Sequence, residues 1–246
     1  MSRRSSVGNA GLWLAVIGGV VLALAPIGYR MSWWPLRVSL LYLLIGAIVI
    51  GVLAVIVSLV GAFLARRVSG TPGVGGALVG VLLGLVVAGY PGAHVVKARG
   101  EPPIHDITTD ATNPPVFVAL AQERHAAPNG LDYAGGEVTM MQKQAYPDVT
   151  TFKSTLAPAE LFARAAKLVA DDGWQVVDAV PQDGRIEATA TTRMFGFKDD
   201  IVLRVRQADG GSELDMRSMS RIGKSDIGTN AARIRRFMEQ LRAAGA

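Results

Sequence analysis

The chain has 246 residues, 50% of them apolar, no cysteine, and a formal net charge of +5 that is unevenly spread. Residues 1–100 hold eight Lys and Arg and no acid, while residues 101–246 hold the other 17 Lys and Arg against all 20 Asp and Glu, a balance of −3. The pI of about 9.7 therefore belongs to the N-terminal part and is no argument for nucleic acid, and the lack of cysteine excludes disulfides and thiolate chemistry.

Three apolar runs come first in chain order: Gly11 to Tyr29, Val38 to Leu64 and about Val74 to Val96, each bounded by Arg or Lys, with His94 the only ionisable residue inside. About 20 apolar residues at 1.5 Å rise cover a hydrocarbon core of roughly 30 Å, so three transmembrane helices are predicted. Trp33 and Trp34 in the first loop, with Tyr29 and Tyr42, suit the membrane–water boundary. The first run also imitates a secretory signal, with "MSRR" before it and Ala23-Leu24-Ala25 near its end. Pro26 after that site is a poor context for cleavage, and a retained helix is the favoured reading.

Basic residues divide four against four between the two sides: Arg3, Arg4, Arg66 and Arg67 on one, Arg30, Arg37, Lys97 and Arg99 on the other. The free amino terminus tips the balance toward N-terminus inside. With three spans the expectation is a multi-pass protein of the bacterial inner (cytoplasmic) membrane, its soluble domain outside the cytoplasm. Small residues recur every four positions: Gly11, Ala15, Gly19, Ala23; Ala54, Ser58, Ala62; Gly76, Gly80, Gly84, Ala88, Gly92. Such faces let backbones approach closely, either within the bundle, the favoured reading, or between copies as a homo-oligomer.

"KARGEPPIHDITTDATNPPVF" then carries Pro102, Pro103, Pro114 and Pro115, with Pro128 beyond. This reads as extended chain, a tether or an ordered arm. The expected divisions are a transmembrane region 1–97, a Pro-rich linker or arm 98–130, and a soluble α+β domain 131–246. "VTTFKST" suggests a strand, and "APAELFARAAKLVADDG" a helix from Pro158 stopped by Gly173. "WQVVDAV", "RIEATATTRMF", "IVLRVRQ" and "SELDMRSMSR" alternate apolar and polar positions between the turns "PQDG", "GFKDD" and "ADGG", the pattern of an antiparallel meander. One face would carry Ile186, Ala188, Ala190, Ile201, Leu203, Val205, Leu214 and Met216. The other, carrying Arg185, Glu187, Arg193, Arg204, Arg206, Asp215, Arg217 and Arg221, reads as a basic sheet surface. A last helix, about Ile227 to Leu241, is expected to bury Ile227, Ala231, Ile234, Phe237 and Leu241 at helical spacing. The predicted fold is an N-terminal three-helix transmembrane bundle plus a soluble two-layer α+β domain, a mostly antiparallel sheet covered by two helices.

Gly223-Lys224-Ser225 ends like a phosphate loop, but the position of its first glycine is Ser218, inside a predicted antiparallel strand, so nucleotide binding is rejected. "SRIGKSDIGTN" reads first as a helix entry in which Ser225 or Asp226 caps the first turn. A sharper alternative makes Arg217, Arg221, Lys224, Ser225 and Asp226 an anion site at that helix end. "PPIHDITTDATNPPVF", "YPDV", "GRIEATATTRMFGFKDDIVLRVR" and "RSMSRIGKSDIGTNAARIRRFM" together resemble the bacterial family called domain of unknown function 1499. The resemblance implies an envelope protein and supplies no catalytic residues.

An enzyme would draw on His105, Asp106, Asp199, Asp200, Ser225 and Asp226, yet only two histidines lie in the soluble part, no G-x-S-x-G elbow exists, and Asp199-Asp200 falls in a predicted turn. No catalytic residue, cofactor or metal site is assigned. A binding or scaffold module is preferred, with the lipid bilayer, an anionic lipid or an envelope protein as partner and no nucleic acid. An extracytoplasmic hydrolase and a membrane assembly factor remain the alternatives.

Overall fold

The computed structural model describes residues 3–66 and 74–246. Arg67 lies outside the described residues, as do the side chains of Arg3, Arg4 and Arg66 on which the orientation argument drew. The chain divides into two compact units, Met1–Lys97 with Met194–Gly196, and Ala98–Arg193 with Phe197–Ala246.

In the first unit, α1 spans Arg3–Arg30, a π-helical turn Val38–Leu44 leads into α2, Ile45–Arg66, and α3 spans Val74–Gly100. Each is long and apolar enough to cross a membrane, over Asn9–Arg30, Val38–Ala65 and Val74–Gly100. Their small residues face one another. Ala15, Ala25, Ala47, Ala54, Ser58 and Ala77 are completely buried, and a Cβ on Gly11 or Gly80 would collide with the Ser58 hydroxyl. Gly51 and Gly84 likewise leave no room for a side chain between α2 and α3, so the four-residue spacing forms a seam inside the bundle. At the turn between α1 and α2 the Ser39 hydroxyl donates to the Ala25 carbonyl at 2.7 Å and accepts from Trp34 Nε1 at 2.8 Å.

The second unit holds one six-stranded antiparallel sheet. Its strands are β1 Asp106–Thr108, β2 Phe152–Ser154, β3 Gln175–Val180, β4 Arg185–Thr191, β5 Lys198–Ala208 and β6 Gly211–Ser220. The order is β1-β6-β5-β4-β3, and β2 shares the outer edge of β6 with β1. β6 thus pairs with β5 along its whole length, while β2 takes Ser212–Leu214 and β1 takes Arg217–Met219 on its other side.

Two helices cover one face as expected. In α6, Pro158–Asp171, proline occupies the first turn and Leu161, Phe162, Ala165 and Val169 are buried; Gly173 follows at φ +71°, a left-handed stop suited to glycine. In α7, Thr229–Ala243, Ala231, Ile234, Phe237, Met238 and Leu241 are buried. Both press on Ile186, Ala188, Ile201, Leu203, Leu214 and Met216, and Trp174 stacks on Phe237 with centroids 5.5 Å apart.

The opposite face is where sequence reading and structure part. The expected basic surface is covered by residues 109–131, which include the short helix α4, Ala121–Ala126; α5, Gly136–Ala145, follows. Phe117 and Leu120 pack on Val202 and Met219 as a second small core. The Glu187 carboxylate, fully buried, accepts the backbone N–H groups of Val118, Ala119 and Leu120 at 2.9, 3.0 and 2.9 Å and pins the arm to the sheet. Asp199 and Asp200 are not turn residues: β5 begins at Lys198, and both acids are buried in it. Local pattern suggests a turn because it shows neither the arm nor α7, and it is these that cover the two acids, through Arg124 and Arg233.

Candidate functional site

Beyond β6 the chain enters the turn 221–228 before α7. Ser218, where a phosphate loop would need glycine, is a completely buried strand residue. The Asp226 carboxylate accepts the N–H of Gly228 at 2.9 Å and of Asn230 at 2.7 Å, so it caps α7 as one of the two predicted capping residues. Burial pushes its pKa up, against those two hydrogen bonds, and nearby Asp199 adds to the rise. Ile227, between cap and helix, has φ +54°, a strained conformation for a β-branched residue.

The same turn binds the first residues after α3. The Ser225 hydroxyl donates to the Pro102 carbonyl at 3.2 Å, and the Asp226 N–H donates to the Ile104 carbonyl at 3.1 Å. Gly228 sits so close to the Glu101 carboxylate that a Cβ would press on it at 2.8 Å. Glu101 in turn accepts from the Tyr146 hydroxyl at 2.7 Å. Burial, and then this carboxylate, hold the Tyr146 phenol far above its usual range. Arg235 lies over the Tyr146 ring, 5.2 Å from its centroid, and grips Asp148 with two bonds of 2.6 Å.

The five residues singled out from sequence do not all converge. Arg217 is 3% exposed and bonds both oxygens of Asp106, at 2.9 and 2.8 Å. Arg221 bonds both oxygens of Asp200, each at 2.9 Å. Their charges are thus met by carboxylates of the chain itself, whereas Ser225 and Asp226 lie together in the turn and Lys224 is exposed on it. Behind them runs a buried polar layer. Arg233 bonds Asp199 at 2.6 Å and the Ser218 hydroxyl at 2.8 Å, and Asn230 donates to the His105 carbonyl at 3.0 Å.

Sequence reasoning missed Glu101, Arg124, Tyr146 and Arg235. "YPDV" marked Tyr146 and Asp148 only through the family resemblance, and a lone Arg in "AQERHA" gives no signal at all. Chemically the cluster holds and orients; it does not assemble a nucleophile and base. The hydroxyl of Ser225 engages backbone groups only, Pro102 and the Ile227 N–H. Among the described residues no group of three or more His, Cys, Asp or Glu stands close enough to hold a metal.

This domain is what a comparison with protein families recognises. The model described as "Protein of unknown function (DUF1499)" matches residues 106–241, more than half of the chain. The chain belongs to the DUF1499 family. The match starts at β1 and ends at Leu241 in α7, so the DUF1499 region contains the whole sheet, the covering arm, α6 and all but the end of α7. Searches of curated proteins and of solved structures found no match. The protein is a membrane protein carrying a DUF1499 domain.

Proposed function

We propose that this DUF1499 protein is a binding module of the bacterial inner membrane, with the domain outside the cytoplasm, and that its ligand is an anionic lipid headgroup. The observation that carries the reading is the pair of bonds from Ser225 and Asp226 to Pro102 and Ile104. They hold the turn bearing Lys224 against the segment that follows directly on α3, whose last turn carries the exposed Arg99. Basic residues near a membrane surface gain about 1 kcal/mol each from an anionic leaflet. The anion site read from the sequence is narrowed accordingly: Lys224 makes the contact, Ser225 and Asp226 shape the turn, and Arg217 and Arg221 support it through Asp106 and Asp200. No step of covalent chemistry is required.

The test is lipid retention. Full-length protein extracted in mild detergent is expected to carry more phosphatidylglycerol than phosphatidylethanolamine by native mass spectrometry, and Lys224→Glu should abolish that preference. Equal retention by wild type and Lys224→Glu would overturn the headgroup reading. A C-terminal reporter active only in the cytosol would overturn the sidedness.

A further inference from the structure

Arg124 holds a second, independent clue, on the arm-covered face of the sheet. Its side chain is 0% exposed. Nη1 donates to Asp200 Oδ2 and to the Met219 carbonyl, both at 3.3 Å, while Nε and Nη2 have no partner. Those two nitrogens form the side-on edge of the guanidinium, the edge with which Arg221 takes Asp200 and Arg235 takes Asp148. A guanidinium does not give up its protons, so this edge is a pair of parallel N–H donors withdrawn from water.

The carboxylates nearby are already taken. Arg217 occupies both oxygens of Asp106, and Arg221 occupies both oxygens of Asp200. Three guanidiniums therefore share two carboxylates. Asp199 is bound by Arg233, and Glu187 is turned to the arm N–H groups and to Arg185. Arg124 also lies 5.8 Å from the Phe117 ring centroid, and Phe117 packs with Leu120, Val202 and Met219 in the small core.

We infer that the Nε–Nη2 edge of Arg124 receives a small monovalent oxyanion, of the size of formate, nitrate or bicarbonate, held beneath the arm. Such an anion presents two acceptors at the spacing the edge requires and supplies the missing negative charge. A water molecule could accept from the edge but brings no charge, leaving three guanidiniums to share two carboxylates.

The experiment uses the full chain in a non-ionic detergent, dialysed into a buffer whose only anion is bulky gluconate. Titration with ¹³C-formate is expected to give a saturable shift of the formate resonance and a rise in Tm with concentration. A stoichiometric small anion retained through dialysis and released on unfolding counts equally as occupancy. Arg124→Met should lose the response, and Arg124→Lys, which keeps the charge without the fork, should weaken binding about tenfold or more. Wild-type protein that neither binds formate or nitrate saturably nor releases an anion overturns the proposal, whether or not the variants fold. So does formate protection of Arg124→Met equal to that of wild type. Neither result depends on Lys224, so the outcome is separate from the lipid reading.

Discussion

The two faces of the DUF1499 sheet are both buried and are held by opposite chemistry. Under α6 and α7 lies a dry core in which Leu203, Leu214, Met216 and Phe237 are completely enclosed. Under the arm lie Asp106, Glu187, Asp200, Asp215 and Arg217, enclosed nearly as fully. Non-directional apolar packing tolerates alternatives in the first case. In the second, each carboxylate specifies particular partners, since a buried charge is tolerable only when paired and hydrogen-bonded. A strand's polar side need not be its wet side.

Breaking the charged face should have the largest effect. Asp200→Ala strands Arg124 and Arg221 together, and thermal or denaturant unfolding is expected to show a loss of about 3–5 kcal/mol. Removing apolar volume from the other face, as in Leu203→Ala, should cost about 2–5 kcal/mol by the same measurement. The two faces are separated more sharply by a paired replacement. Asp106→Leu and Arg217→Met are each expected to destabilise by several kcal/mol alone, yet together to return to within about 2 kcal/mol of wild type, because the desolvation cost disappears with the pair. If the double variant is as unstable as the singles, the pair contributes more than its own compensation.

Acid should weaken a different, exposed pair. Hydrogen bonds from Arg235 hold the Asp148 carboxyl below its ordinary range. A depressed folded-state pKa stabilises above the unfolded value, near pH 4, and that contribution is lost as pH falls further. Asp148→Asn should therefore flatten the acid limb of a stability–pH curve. The smallest change belongs to the exposed Lys224: Lys224→Glu should leave Tm almost unmoved, within about 0.5 kcal/mol, while altering lipid retention.

Much of this architecture is legible in the sequence. The three spans, α6, α7 and the meander β3 to β6 follow from periodicity and from turn glycines, and "VTTFKST" does contain β2. What escapes is decided by partners far along the chain. Three-residue β1 has no pattern of its own and exists because Ile107 lies opposite Ser218. Asp199 and Asp200 resemble a turn until Arg233, Arg124 and Arg221 are placed against them. The acids that neutralise Arg217 and Arg221 come from β1 and β5, and no spacing rule connects them. One signal was available: charged residues alternating along three adjacent strands with both signs present more often pair with each other than await a ligand.

The arm also sets an order of events. Thr109 reaches Asp215 across 106 positions of chain and Asp106 reaches Arg217 across 111, so the first stretch to emerge beyond the third span has nothing to settle on until the final hairpin exists. Contacts of such long sequence separation close late, because the loop entropy precedes the reward. During synthesis Phe117 and Leu120 must therefore wait uncovered until Val202 and Met219, the residues they pack on, have been made.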